Sequence, residues 1–232
     1  MPWCVIPAAG AGRRVGGDRP KQYQLLGGQP MLTRTLERLA SHPDIEGLVV
    51  AIAPDDAWWP HLRECAGKPV LATAGGEERA HSVLAGLRAL PASVAARDWV
   101  LVHDAARPCV RHEDIDHLLQ RGSLHATGAL LAAPVRDTIK RGNDEHEADA
   151  NVPRENLWRA FTPQLFRRGE LTHALEAAIA AGVVTTDEAR ALELQGKTAL
   201  LVTGSEDNLK VTTASDMALA ELILKRQLEE QG

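Results

Sequence analysis

The residues of this chain that could do chemistry gather in three turns. The first lies in "IPAAGAGRRVGGDRPKQY", Ile6 to Tyr23, with Gly10, Gly12, Gly16 and Gly17 among basic residues. Open backbone N–H groups after a first strand suit phosphate. Arg13, Arg14, Arg19 and Lys21 fall within this turn, and Asp18 alone opposes them. Such unbalanced positive charge beside open donors suits a triphosphate. The Walker pattern is absent, because Lys21 follows Pro20 and precedes Gln22. The dinucleotide pattern is displaced: Val15 takes the third glycine's place and Gly16 comes one later. From Arg19 to Leu36 there is no acid to hold a ribose, and Pro20 interrupts the helix that should follow. An NAD-dependent oxidoreductase is therefore disfavoured.

The second turn is in "TAGGEERAHSVLAGL", Thr73 to Leu87. Thr73-Ala74 ends a strand, Gly75-Gly76 turns, and Ser82 stands in the first turn of a helix, as a cap or as a ligand contact. The third is "VLVHDAARP", Val100 to Pro108. Asp104 ends a buried strand, where a carboxylate either forms the turn or holds Mg²⁺ against phosphates. Arg107 is spaced to grip a second phosphate.

These turns need a rigid frame, and 232 residues with 44% hydrophobic content can supply one as a large domain or two small ones. A net charge of −5 gives no general attraction to nucleic acid or membrane. Cys4, Cys65 and Cys109 form no CxxC, the histidines form no HExxH, and no apolar run has membrane-spanning length. There is no basic leader before an apolar stretch. A soluble, cytoplasmic protein is expected. Strands are expected at Trp3–Pro7, Leu48–Ala53, Pro69–Ala74, Trp99–His103, Ala129–Pro134 and Thr198–Thr203. Their continuous apolar runs fit cover on both faces. Helical spacing marks the stretches around Leu32–Leu39, Val83–Leu90 and Ala214–Glu230, the last with Ser215 and Asp216 as candidate caps. The alternation argues an α/β doubly wound, mostly parallel sheet. The charged stretch 136–154 is either a solvated loop or a hairpin arm with Gly142-Asn143-Asp144 near its tip, able to reach a second subunit.

Taken together, "IPAAGAGRR", "PKQY", "GGEERAHSVLAGL", "VHDAARP", "LAAPVRDT", "LWRAFTPQLF", "TTDEARALE" and "NLKVT" resemble the 2-C-methyl-D-erythritol 4-phosphate cytidylyltransferase family over nearly the whole chain. The resemblance implies a Rossmann-like nucleotidyltransferase domain over residues 1–232, with a protruding β-arm at 136–156 that makes a homodimer. It implies transfer of CMP from CTP to 2-C-methyl-D-erythritol 4-phosphate, with Mg²⁺ or another divalent ion, in isoprenoid precursor synthesis. Ala8, Ala9, Gly10 and Gly12 would wrap the CTP, while Gly76, Glu77 and Ser82 would read base and ribose. Arg14 and Lys21 would stabilise the transition state. Asp104, Arg107, Thr138, Thr162 and Thr186 would surround the sugar phosphate, with Asp104 also at the metal. Arg154, donated across the dimer, and Lys210 would position the substrate phosphate. The family commonly has Asp at the positions of Glu77 and His81. Close relatives use ribitol 5-phosphate, which is the alternative acceptor. A non-catalytic nucleotide sensor would keep the glycines without needing Lys21, Arg154 and Lys210 together.

Overall fold

The computed structural model describes residues 1–10 and 19–230. In chain order its elements are β1 (Trp3–Pro7), β2 (Leu25–Leu26), β3 (Gln29–Pro30), α1 (Met31–Ala40), β4 (Gly47–Ile52), β5 (Glu64–Cys65), β6 (Lys68–Ala74), α2 (Arg79–Arg88), β7 (Trp99–Val102), α3 (His112–Gly122), β8 (Gly128–Pro134), β9 (Ile139–Gly142), β10 (Ala148–Val152), β11 (Trp158–Arg167), α4 (Arg168–Ala180), α5 (Glu188–Glu193), β12 (Leu200–Thr203) and α6 (Ala214–Glu229). Eight strands make one sheet in the order β12-β8-β11-β7-β1-β4-β6-β5. β1 is parallel to β4 and β7, β4 to β6, and β8 to β12. β11 runs antiparallel between β7 and β8, and β5 antiparallel beside β6.

Alternation along the strands explains the two layers of helices. Cys4 and Ile6 of β1 pack with Leu32, Leu36 and Leu39 of α1 and Ile115 and Leu118 of α3. Trp3 and Val5 turn the other way, onto Val83 and Leu87 of α2 and Leu171 and Leu175 of α4. Successive strand side chains point to opposite faces, so strands covered on both sides must be apolar throughout. Each fully buried side chain of this size contributes roughly 1.5–3 kcal/mol. Gly86 sets the closeness of α2 to β1, since a Cβ there would lie 2.4 Å from Val5 Cγ1. α6 packs Ala220 and Ile223 against Leu26, Met31 and Val211.

The six expected strands are all present, with ends moved by a few residues. β11 was not among them. Pro163 stands in its middle, and a proline cannot donate to a ladder. The sheet accommodates it with a register shift between Ala160 and Gln164. The expected caps of α6 are corrected too. Thr213 is the N-cap and Asp216 its partner in a capping box, while Ser215 lies within the helix. The charged stretch is a hairpin: β9 and β10 pair antiparallel. Its turn is closed by Asn143, whose N–H donates to Glu147 O at 3.0 Å and whose Oδ1 accepts the Glu147 N–H at 2.8 Å.

Candidate active site

The parallel strands β1, β6 and β7 deliver their following turns to one crevice. Ala8, Ala9 and Gly10 follow β1, Gly76 and Glu77 follow β6, and Asp104 to Ala106 follow β7. With Lys21, Gln22, Arg79, Ser82 and Lys210 they line a cleft of about 350 Å³. Ligands of open α/β sheets bind at this carboxyl edge. Gly75 is required by the closeness of the first two turns: a Cβ there would lie 2.6 Å from Ala9 Cβ and 2.7 Å from Ser82 Oγ. Ser82 Oγ accepts the Gly76 N–H at 3.2 Å, which makes the hydroxyl a brace for the turn. Gln22 Nε2 donates to Ala8 O at 2.8 Å and so ties the segment bearing Lys21 to the first turn. Lys21 Nζ donates to Val211 O at 2.8 Å. Gly12 and Arg14 lie outside the described residues.

Asp104 is the electrostatic centre. Arg79 donates to its Oδ1 from Nε at 3.2 Å and from Nη2 at 3.0 Å. Its Oδ2 faces Lys210 Nζ at 3.0 Å and Arg107 Nε at 3.3 Å. Burial alone would raise its pKa, but the charges of Arg79, Lys210 and Arg107 outweigh burial and hold it well below the carboxylate range. Both oxygens are therefore engaged by cations. Among the described residues, no three His, Cys, Asp or Glu side chains come together as a metal site. With both oxygens facing cations, Asp104 offers a divalent ion no open position in this arrangement.

A buried polar network fixes this centre from below. The His103 Nε2 lies 3.0 Å from Arg107 O and must donate to it. Nδ1 is then the acceptor for the Thr162 hydroxyl at 3.1 Å, and Thr162 Oγ1 accepts the Asp104 N–H at 2.9 Å. Full burial pushes the His103 imidazole down to about 4, which keeps it neutral in this role. Arg107 Nη1 donates to Asn208 O at 2.6 Å, and Asn208 Nδ2 donates to Thr162 O at 2.7 Å. The segment carrying Lys210 is thereby laced to β11 and to the turn after β7.

The structure brings together Ala8, Ala9, Gly10, Lys21, Gly76, Glu77, Ser82, Asp104 and Lys210, with Arg107 and Thr162 packed at Asp104. Thr138, Arg154 and Thr186 are exposed and do not line the cleft. Arg154 follows β10 and donates from Nη1 to Arg136 O at the base of the hairpin. Sequence reasoning missed Arg79, Glu188, His103 and Asn208. Each sits inside or beside a quoted motif, but only proximity in space shows its partners.

Turns gathered at the carboxyl edge of a mostly parallel sheet, with cations around one carboxylate, define an α/β protein built to bind an anionic, nucleotide-type ligand. Comparison with known proteins narrows the class. Residues 3–226 match the sequence profile of 2-C-methyl-D-erythritol 4-phosphate cytidylyltransferase, and the chain belongs to that family. A relative of that name from Stenotrophomonas maltophilia is 56% identical, covering 97% of each chain. One from Xanthomonas oryzae pv. oryzae is also 56% identical, over 97% of this chain and 83% of its own. The fold is similar to a solved 4-diphosphocytidyl-2C-methyl-D-erythritol synthase, with a TM-score of 0.82, 35% identity, and coverage of 96% of this chain and 98% of that one. The Francisella tularensis 2-C-methyl-D-erythritol 4-phosphate cytidylyltransferase structure gives a TM-score of 0.81 at 33% identity, over 95% and 98%.

Proposed function

We propose that this chain transfers CMP from CTP to 2-C-methyl-D-erythritol 4-phosphate. The products are 4-diphosphocytidyl-2-C-methyl-D-erythritol and pyrophosphate. The observation that carries this reading is the cleft in which Lys21 and Lys210 stand with Gly10, Gly76 and a cation-bound Asp104.

The attacking group is a phosphate oxygen of the acceptor, already anionic at neutral pH because the second phosphate pKa is near 6. No general base is needed. The barrier is electrostatic, since one anion must attack the α-phosphorus of another. Lys21, at the nucleotide side, and Arg14 would neutralise charge that develops there. Lys210 and Arg107 would orient the acceptor, with Asp104 accepting from its hydroxyls. Thr162, whose hydroxyl accepts the Asp104 N–H, belongs to the same proposed acceptor site. Mg²⁺ would enter on the triphosphate as part of the substrate salt, because Asp104 is occupied by cations.

Arg154 is exposed at the root of the hairpin and away from its own cleft, which supports donation to a partner's site. The reading therefore includes a homodimer built through residues 136–156, on a single nucleotidyltransferase domain spanning 1–232. A cytoplasmic location belongs to the same proposal and is supported by the free thiols of Cys4, Cys65 and Cys109. Among the described residues no helix is long and apolar enough to cross a membrane.

Pyrophosphate release with CTP and Mg²⁺ tests the reading. Release with methylerythritol phosphate and not with ribitol 5-phosphate is the expected result. The reverse preference would overturn the acceptor assignment.

A further inference from the structure

Arg79 is misplaced by the rules of helix design. It occupies the first position of α2, whose first turn carries no acid. A cation there meets the positive end of the helix dipole. Two carboxylates offset this. Asp104 Oδ1 takes one edge of the guanidinium, at 3.0 and 3.2 Å. Glu188 Oε1, from the start of α5, takes Nη1. Glu188 is 1% exposed, and its Oε2 is buried with no hydrogen-bond partner. Leaving a carboxylate oxygen unmatched in the interior is costly, so the arrangement calls for a reason. The start of α5 is itself held firmly. Gln164 of β11 donates to Asp187 Oδ2 at 3.1 Å and accepts the Ala189 N–H at 2.9 Å.

We propose that Arg79, clamped by Glu188, is the positioning residue that holds Asp104 for the acceptor sugar. This rests on the reading of Asp104 as a sugar-binding group. Of the three cations on Asp104 among the described residues, Lys210 is the exposed one, with 42% of its side chain accessible against 20% for Arg79 and 9% for Arg107. Lys210 is the cation free to turn to an arriving phosphate. When it does, Arg79 keeps Oδ1 in place and preserves the ionised carboxylate. Glu188 makes that possible in two ways. It fixes the far edge of the guanidinium, and it cancels a charge that would otherwise compete for the substrate's phosphate. Within this ion-pair cluster the two carboxylates, Asp104 and Glu188, face Arg79, Arg107 and Lys210, so moving Lys210 away leaves each carboxylate still paired.

The test is steady-state kinetics with each substrate varied in turn, together with melting curves. Glu188→Gln is expected to raise the KM for methylerythritol phosphate by about 10- to 100-fold, the scale of a small misplacement. The KM for CTP should stay within about twofold, far below the loss that a misplacement brings. Arg79→Lys, which cannot bridge two carboxylates with a planar fork, should show the same split. In an Asp104→Asn background, Glu188→Gln should add nothing to the acceptor KM, since both act through one carboxylate. Unchanged acceptor KM in both variants, with Asp104→Asn impaired, overturns the proposal and leaves the reading of Asp104 standing. An Asp104→Asn enzyme with normal acceptor KM overturns that reading and the proposal with it. Parallel rises in both KM values with lowered melting, or failure of both variants to fold, would show a purely structural ion pair and also overturn it.

Discussion

His103 shows how a residue that never touches the cleft can govern it. Its Nδ1 accepts from Thr162, and Thr162 accepts the Asp104 N–H. Protonation would remove that acceptor and place a charge in the interior. Its folded pKa of about 4 lies below the ordinary 6.5, so the unfolded chain binds the proton first as pH falls. The stability tied to neutral His103 is complete above about pH 6.5 and drains away toward pH 4, by about 3 kcal/mol over the whole window. Burial raises the Glu188 carboxyl, with Arg79 opposing, and that group slopes the other way. Urea denaturation of wild type and His103→Gln isolates the imidazole: the wild type should lose more stability between pH 7 and pH 4 than the variant. Equal losses would refute the assignment. Lys21 makes a simpler case. Lys21→Ala should lower kcat by about 100-fold or more while melting stays near wild type, as removal of one transition-state donor does. Near-normal turnover would remove Lys21 from the chemistry. Some of this was legible in the sequence. Asp104 could be read as a strand-end carboxylate and Lys21 as a phosphate cation. Arg79 could not be separated from any solvated arginine, because Glu188 and Asp104 reach it only through folding, across 109 and 25 positions.

At the scale of elements, legibility followed burial. β1, β4 and β7 are covered on both faces and announce themselves as unbroken apolar runs. β11 is just as central, yet Pro163 and the polar Thr162 and Gln164 disguise it. Those polar residues have work there: Thr162 holds the turn after β7, and Gln164 holds the start of α5. A strand that carries site residues breaks the very pattern by which strands are found. The hairpin of β9 and β10 is the opposite case, being exposed and held by few contacts outside itself. Its strands pair with each other and with no strand of the large sheet. Replacing residues 140–151 by a short Asn-Gly turn should therefore leave the melting transition of the main sheet nearly unchanged. If the arm builds the proposed homodimer, sedimentation should shift from dimer to monomer, and activity should fall with it. A shortened chain that remains dimeric would show that the arm does not build the interface.

At the scale of the whole molecule, the position of Arg154 decides how many chains make one site. Its side chain donates to Arg136 O and stands outside the cleft formed by its own turns. If Arg154 serves a partner's cleft, each site combines Lys21 of one chain with Arg154 of the other. Arg154→Ala and Lys21→Ala homodimers would then both be inactive. In a heterodimer of the two, one site carries both lesions and the other carries neither. Mixing the inactive proteins under subunit exchange should restore turnover at that intact site, with KM values for both substrates matching wild type. Were Arg154 to act within its own chain, each site of the heterodimer would keep one lesion and none would recover. Differently tagged chains purified as heterodimers make the comparison direct: absence of pyrophosphate release in that fraction would place Arg154 in its own chain's chemistry. The same fraction with both lesions on one chain supplies the control. Its wild-type partner should then have Lys21 but lack a functional Arg154 across the interface, so it should be inactive under the shared-site arrangement and half-active under the unshared one.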